Sequence, residues 1–123
     1  MTRAAGLLCV CLSLVCGPAF AADCWVPNIR LLDNQTVQGS MLVVGGKRCS
    51  IVMIRSPGPI YSVSLVTPPA NGSVSIHGDR LVYSPRAKYL GEDHFVYARE
   101  GKDPENRPIK RTVEISVQVK ERL

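Results

Sequence analysis

The chain has 123 residues, 46% of them hydrophobic and 20% charged, and a formal net charge of +5. These fractions are ordinary for a folded protein, which excludes a disordered chain, a collagen-like repeat and a polytopic membrane protein, and the length excludes a large multidomain enzyme. One small, mildly basic globular domain is left, and an excess of this size is as often a solubility setting as a sign of an anionic partner.

Residues 1–21 read as a secretory signal and residues 22–123 as the domain it exports. Arg3 supplies the positive start, Leu7 to Cys16 the apolar run, and Ala19-Phe20-Ala21 the small residues at a cleavage site. The run is shorter than the roughly 20 residues a bilayer core requires, and no later segment approaches that length, so no transmembrane segment is expected after cleavage. Lipid attachment is not expected either, because Cys9, Cys11, Cys16 and Cys24 follow Leu8, Val10, Val15 and Asp23 rather than a small residue. Cleavage takes Cys9, Cys11 and Cys16 with it and leaves Cys24 and Cys49. Two cysteines in a periplasmic or secreted domain point to one disulfide, with two buried free thiols as the alternative. Closing a loop of that length contributes on the order of 3.5 kcal/mol in the chain-entropy picture. A metal site would need more ligands, and His77 and His94 are not spaced to complete one with either cysteine.

The rest of the chain reads as strands. Ser40 to Val44 and Ser50 to Ile54 are apolar runs that suit strands covered on both faces or near the covered centre of a sheet. Apolar residues then recur with a period of two at Tyr61, Val63 and Leu65, at Val74 and Ile76, at Leu81 and Tyr83, and at Phe95 and Tyr97. The last and longest run, Arg111 to Lys120, puts Val113, Ile115, Val117 and Val119 on one face and Thr112, Glu114, Ser116 and Gln118 on the other. Gly45-Gly46, Pro57-Gly58-Pro59, Pro68 to Gly72, Gly78-Asp79 and Ser84-Pro85 break the chain between them, so no helical period of useful length survives. About seven short strands so punctuated indicate an all-β single domain, a β-sandwich, with a small closed barrel as the alternative.

Residues 71–97 contain Asn71-Gly72-Ser73-Val74, Leu81-Val82-Tyr83-Ser84-Pro85 and Tyr89-Leu90-Gly91-Glu92-Asp93-His94-Phe95-Val96-Tyr97. This resembles the immunoglobulin-like and cadherin-like domains of bacterial surface proteins, with their pattern N-G-x-V, Y-x-P and G-x-D-x-F-x-Y. The resemblance implies an immunoglobulin-like sandwich in which Asp93 and Tyr97 form a structural corner, the Tyr97 hydroxyl returning a hydrogen bond to the preceding turn. It implies a non-enzymatic module of the bacterial envelope. Tandem relatives hold calcium with acidic residues at domain junctions, but here Tyr97 is followed by Ala98-Arg99-Glu100-Gly101, so no metal and no cofactor is expected.

Motifs of sharper chemistry fail on inspection. Gly46-Lys47 lacks both the earlier glycine and the following hydroxyl of a phosphate loop, since Met41 and Arg48 stand there. No nucleophile motif surrounds either histidine, so no catalytic residue is assigned. The segment from Arg99 to Lys110 reads as a charged loop joining the last two strands, and such loops are common recognition sites. Arg99, Lys102, Arg107, Lys110 and Arg111 are therefore the expected partner-binding residues. The expected partner is an envelope protein or polysaccharide. Nucleic acid is not expected, because no basic stripe interleaved with aromatics is present. A lectin-like sugar binder or a small hydrolase on the same scaffold is the alternative.

Overall fold

The computed structural model describes residues 22–53 and 60–123. The leader read over residues 1–21, Ile54 and the Pro57-Gly58-Pro59 turn lie outside them. Eight strands follow in chain order: β1 (Cys24–Trp25), β2 (Thr36–Val44), β3 (Cys49–Val52), β4 (Ile60–Thr67), β5 (Gly72–His77), β6 (Arg80–Pro85), β7 (Gly91–Lys102) and β8 (Pro108–Lys120). They make a five-stranded sheet, β1-β2-β8-β7-β4, and a three-stranded sheet, β3-β6-β5. No helix among the described residues is long and apolar enough to cross a membrane.

Alternation in the sequence becomes alternation of burial. Val113, Ile115, Val117 and Val119 of β8 are buried, and facing them in register on β7 are Tyr97, Phe95, Asp93 and Gly91. The inner face of the small sheet contributes Cys49 and Ile51 from β3 and Leu81 and Tyr83 from β6 to the same core, which also takes Met41 and Val43 of β2. The Tyr83 ring stacks on that of Phe95, with centroids 5.6 Å apart and planes 11° from parallel, so aromatic contact joins the two sheets at the centre. The arrangement is that of two sheets sharing one core, as a β-sandwich requires.

The large sheet is not purely antiparallel. β2 runs parallel to β8 over nine residues, from Thr36 beside Thr112 to Val44 beside Lys120. Gly39 lies opposite Ile115 in that ladder, and a Cβ there would stand 2.7 Å from the Ile115 Cδ1 and 3.3 Å from that of Ile29. The missing side chain is the space those two isoleucines fill. Cys24 of β1 is bonded to Cys49 of β3, with Cα atoms 5.6 Å apart. Because β1 and β3 are edge strands of different sheets, the disulfide ties one sheet to the other along one flank.

Two expectations change. Ser50 and Val52 are exposed, Val52 to 55%, so the run beginning at Ser50 is not covered on both faces: β3 ends its sheet and only Cys49, Ile51 and Met53 point inward. The run at Ser40–Val44, by contrast, lies inside the large sheet between β1 and β8, with Met41 and Val43 fully buried and Leu42 and Val44 partly so. The charged segment after Tyr97 is mostly strand: β7 continues to Lys102 and β8 begins at Pro108, so the connecting loop is only Asp103 to Arg107. Pairing persists because Ile109 is buried opposite Gly101 and Arg99 lies opposite Arg111, which keeps the inward face in phase through the charged residues.

Candidate functional site

The inward face of β7 carries a different chemistry at each end. Asp93 begins it, Phe95 and Tyr97 fill its middle, and Arg99 closes it; all four are buried.

At the Asp93 end every interaction is made by local structure. The carboxylate accepts the backbone N–H of Ala70 at 3.1 Å, that of Asn71 at 3.3 Å and that of His94 at 2.9 Å. It also accepts the Tyr83 hydroxyl at 2.6 Å. Burial, reinforced by this bond, pushes the Tyr83 hydroxyl far above its ordinary pKa. Gly72 makes the approach possible: a Cβ there would sit 2.5 Å from the carbonyl oxygen of Ser84 and 2.9 Å from the Tyr83 ring. The corner thus uses Asp93, but the hydroxyl that meets it is that of Tyr83 and not of Tyr97. Tyr97 lies four positions further along β7, beyond the reach of the Ala70-Asn71 turn.

At the opposite end the two sheets and the segment before β2 enclose a half-open cavity of about 500 Å³. Its walls include Val26, Ile29, Leu31, Ile51 and Met53, and its polar lining includes Ser50, Tyr97, Arg99 and Arg111. Arg99 and Arg111 are cross-strand neighbours, only 5% and 7% exposed. Arg111 donates its Nε to Asp33 at 2.6 Å, and the Asp33 side chain is half-exposed. Burial lowers the pKa of the Arg99 guanidinium from its ordinary value, with Arg111 acting in the same sense and Tyr97 against it. Burial likewise raises the Tyr97 hydroxyl to about 12, opposed by Arg99.

The five expected partner-binding residues are therefore not one group. Arg99 and Arg111 line the cavity. Arg107 is exposed on the loop, paired with Asp103 at 2.8 Å and Glu105 at 3.0 Å, so much of the loop's charge is answered within the loop. Asp103 is held below the usual carboxylate range by the Arg107 backbone N–H and guanidinium. Lys102 is partly buried at the end of β7, and Lys110 is exposed on β8, where its N–H donates to the Asn34 side chain at 3.2 Å. Asp33 and Tyr83, which complete the two ends, escaped the sequence reading. Asp33 stands 78 positions from Arg111, and Tyr83 stood inside a motif that already explained it as a strand residue.

Among the described residues no cluster of three or more His, Cys, Asp or Glu is arranged to hold a metal ion. No protein-family model matches the chain, and no curated protein matches it in sequence.

Proposed function

We propose that the chain is an exported, non-enzymatic immunoglobulin-like module that binds or scaffolds a component of the bacterial envelope. The observation that carries the reading is strand order. β4, β7 and β8 share one sheet and β3, β6 and β5 the other, a division like that of strands C-F-G and B-E-D in immunoglobulin-like sandwiches, from which β1 and β2 depart by joining the large sheet. The Cys24–Cys49 bond supports export, since disulfides persist in oxidising compartments. The macromolecular contact belongs on the exposed side of the β7–β8 hairpin, with Arg107 and Lys110 as its cations.

The test is cell fractionation followed by binding. The processed protein is expected outside the cytoplasm, starting at Ala22 or Asp23, and gaining on reduction only the two hydrogens that return one disulfide to thiols. It is then expected to co-sediment with envelope fractions and to lose that association when Arg107 and Lys110 are both changed to Glu. Cytoplasmic retention of the uncleaved chain, or envelope association indifferent to the double change, overturns the reading.

A carbohydrate-binding reading is favoured by one feature, the 59% exposed Trp25 on the edge strand β1, which offers a flat apolar platform. It is the only tryptophan of the chain, so its fluorescence reports a stacked sugar directly.

A further inference from the structure

The strands that end the two sheets are the ones that carry no charge. Among the described residues β1 and β4 bound the large sheet and β3 and β5 the small one, and none of the four contains Asp, Glu, Lys or Arg. The charged residues of the strands stand on β6, β7 and β8, which are interior to their sheets. Edge strands usually show the reverse pattern, because an unpaired row of N–H and C=O groups invites further pairing unless a charge, a proline, a bulge or a short length prevents it. Three of the four edges are blunted in another way. β1 has two residues, β3 has four and is bound to β1 by the disulfide, and β4 is interrupted by two register shifts against β7. β5 has none of these protections: its six residues pair with β6 without a break, from Gly72 beside Pro85 to His77 beside Arg80.

The outer side of β5 suits a second copy of the same strand. Val74 and Ile76 pack against the core but are only half-buried, while Ser73, Ser75 and His77 are exposed on the other face. A two-fold axis perpendicular to the sheet pairs the strands antiparallel and keeps every residue on its own face, so residues opposite one another must share the same phase of the alternation. With the axis at Ser75, Val74 meets Ile76 of the second copy on the inner face, and Ser73 meets its His77 on the outer one. The His77 ring already stands within hydrogen-bond distance of a serine hydroxyl, that of Ser75 at 3.1 Å. Charge favours this surface for self-association: two copies with a net charge of +5 repel one another, and a strand without charge is where that repulsion is least. We propose that the protein forms a dimer through β5, two copies pairing antiparallel about Ser75 so that their three-stranded sheets join into one. The contact covers the β5 edge of both copies, and a two-fold pairing closes on itself instead of growing into a polymer. It uses neither the cavity nor the exposed β7–β8 hairpin, and it stands or falls independently of where the protein resides.

Sedimentation velocity of the purified protein over a range of concentrations, together with hydrogen exchange of the backbone amides, tests this. A reversible dimer is expected at about 100 μM and a monomer at about 1 μM, the weak range of a small interface. At the higher concentration β5 should gain protection from exchange while β4 does not. Ser75→Lys, at an exposed position on the axis, should weaken association at least about tenfold by setting two ammonium groups opposite each other. Ser64→Lys, at an exposed position of β4, should leave association unchanged. A monomer at every concentration, growth beyond the dimer, or a Ser75→Lys protein that melts and dimerises like the parent would each overturn the proposal, as would a dimer lost in Ser64→Lys and kept in Ser75→Lys.

Discussion

The two ends of the β7 inner face place ionic groups in the same core by opposite means. Asp93 is surrounded by donors that belong to its own neighbourhood: three backbone N–H groups and one phenol satisfy it, and the turn at Ala70-Asn71 exists partly through those bonds. Arg99 and Arg111 face each other across a ladder, beside a cavity, and the Arg111 guanidinium meets a half-exposed carboxylate, Asp33. The first end builds structure. The second holds charge at a surface where something else can meet it. A buried charge is thus informative only together with what satisfies it.

The largest expected effect tests the first end. Asp93→Ala strands the Ala70 and Asn71 N–H groups and the Tyr83 hydroxyl together, and should cost about 3 to 5 kcal/mol in denaturant unfolding. A loss below about 1 kcal/mol would mean that the turn finds other acceptors and that the two ends do not differ as argued.

Alkaline pH supplies the next contrast. The Tyr97 hydroxyl, raised from 10.0 to about 12, keeps its proton in the folded state where the unfolded chain has lost it. Its contribution is therefore complete below pH 10 and is lost as the pH rises through the folded value, by roughly 2 to 3 kcal/mol for a shift of this size. Stability measured from neutral pH to pH 12 should fall less steeply in Tyr97→Phe than in the parent. Identical slopes would remove Tyr97 from the account.

At neutral pH the same pair of tyrosines separates the ends again. Tyr83→Phe deletes a hydrogen bond to a buried carboxylate and should cost about 2 kcal/mol. Tyr97→Phe, at a residue that lines the cavity, should cost under about 1 kcal/mol. The reversed order would restore the corner to Tyr97.

Arg99→Met is the smallest and the most diagnostic. Replacing a buried cation by an unbranched apolar chain of similar length should change stability by no more than about 1 kcal/mol in either direction. A loss as large as that of Asp93→Ala would make Arg99 structural and the two ends alike.

Much of this was legible beforehand, for reasons that can be traced to residues. The period-two runs located the strands because one face of each meets a core, and Asn71-Gly72 marked the turn that Asp93 organises. What was misread follows from a single habit of reading. Arg111 stands two before Val113 and Arg99 two after Tyr97, so both continue the inward phase, but a hydrophobic pattern is normally ended at its first charge. Ile109, two before Arg111 and buried, was the signal that the strand went on. The parallel partnership of β2 and β8 left no trace in the sequence at all, since nothing local distinguishes a strand that pairs parallel from one that pairs antiparallel.

That partnership also governs when the protein can fold. β8 lies between β2 and β7 in the large sheet, so its thirteen residues complete the hydrogen bonding of two neighbours at once, one of them 76 positions away in the chain. During synthesis β2 and β7 emerge before β8 and wait with open edges until it follows. Folding dominated by such distant pairings is slow, and a waiting edge is open to pairing with another molecule. Loss of β8 would therefore remove the middle of the sheet, not its margin, and uncover the edges of β2 and β7 that it otherwise pairs.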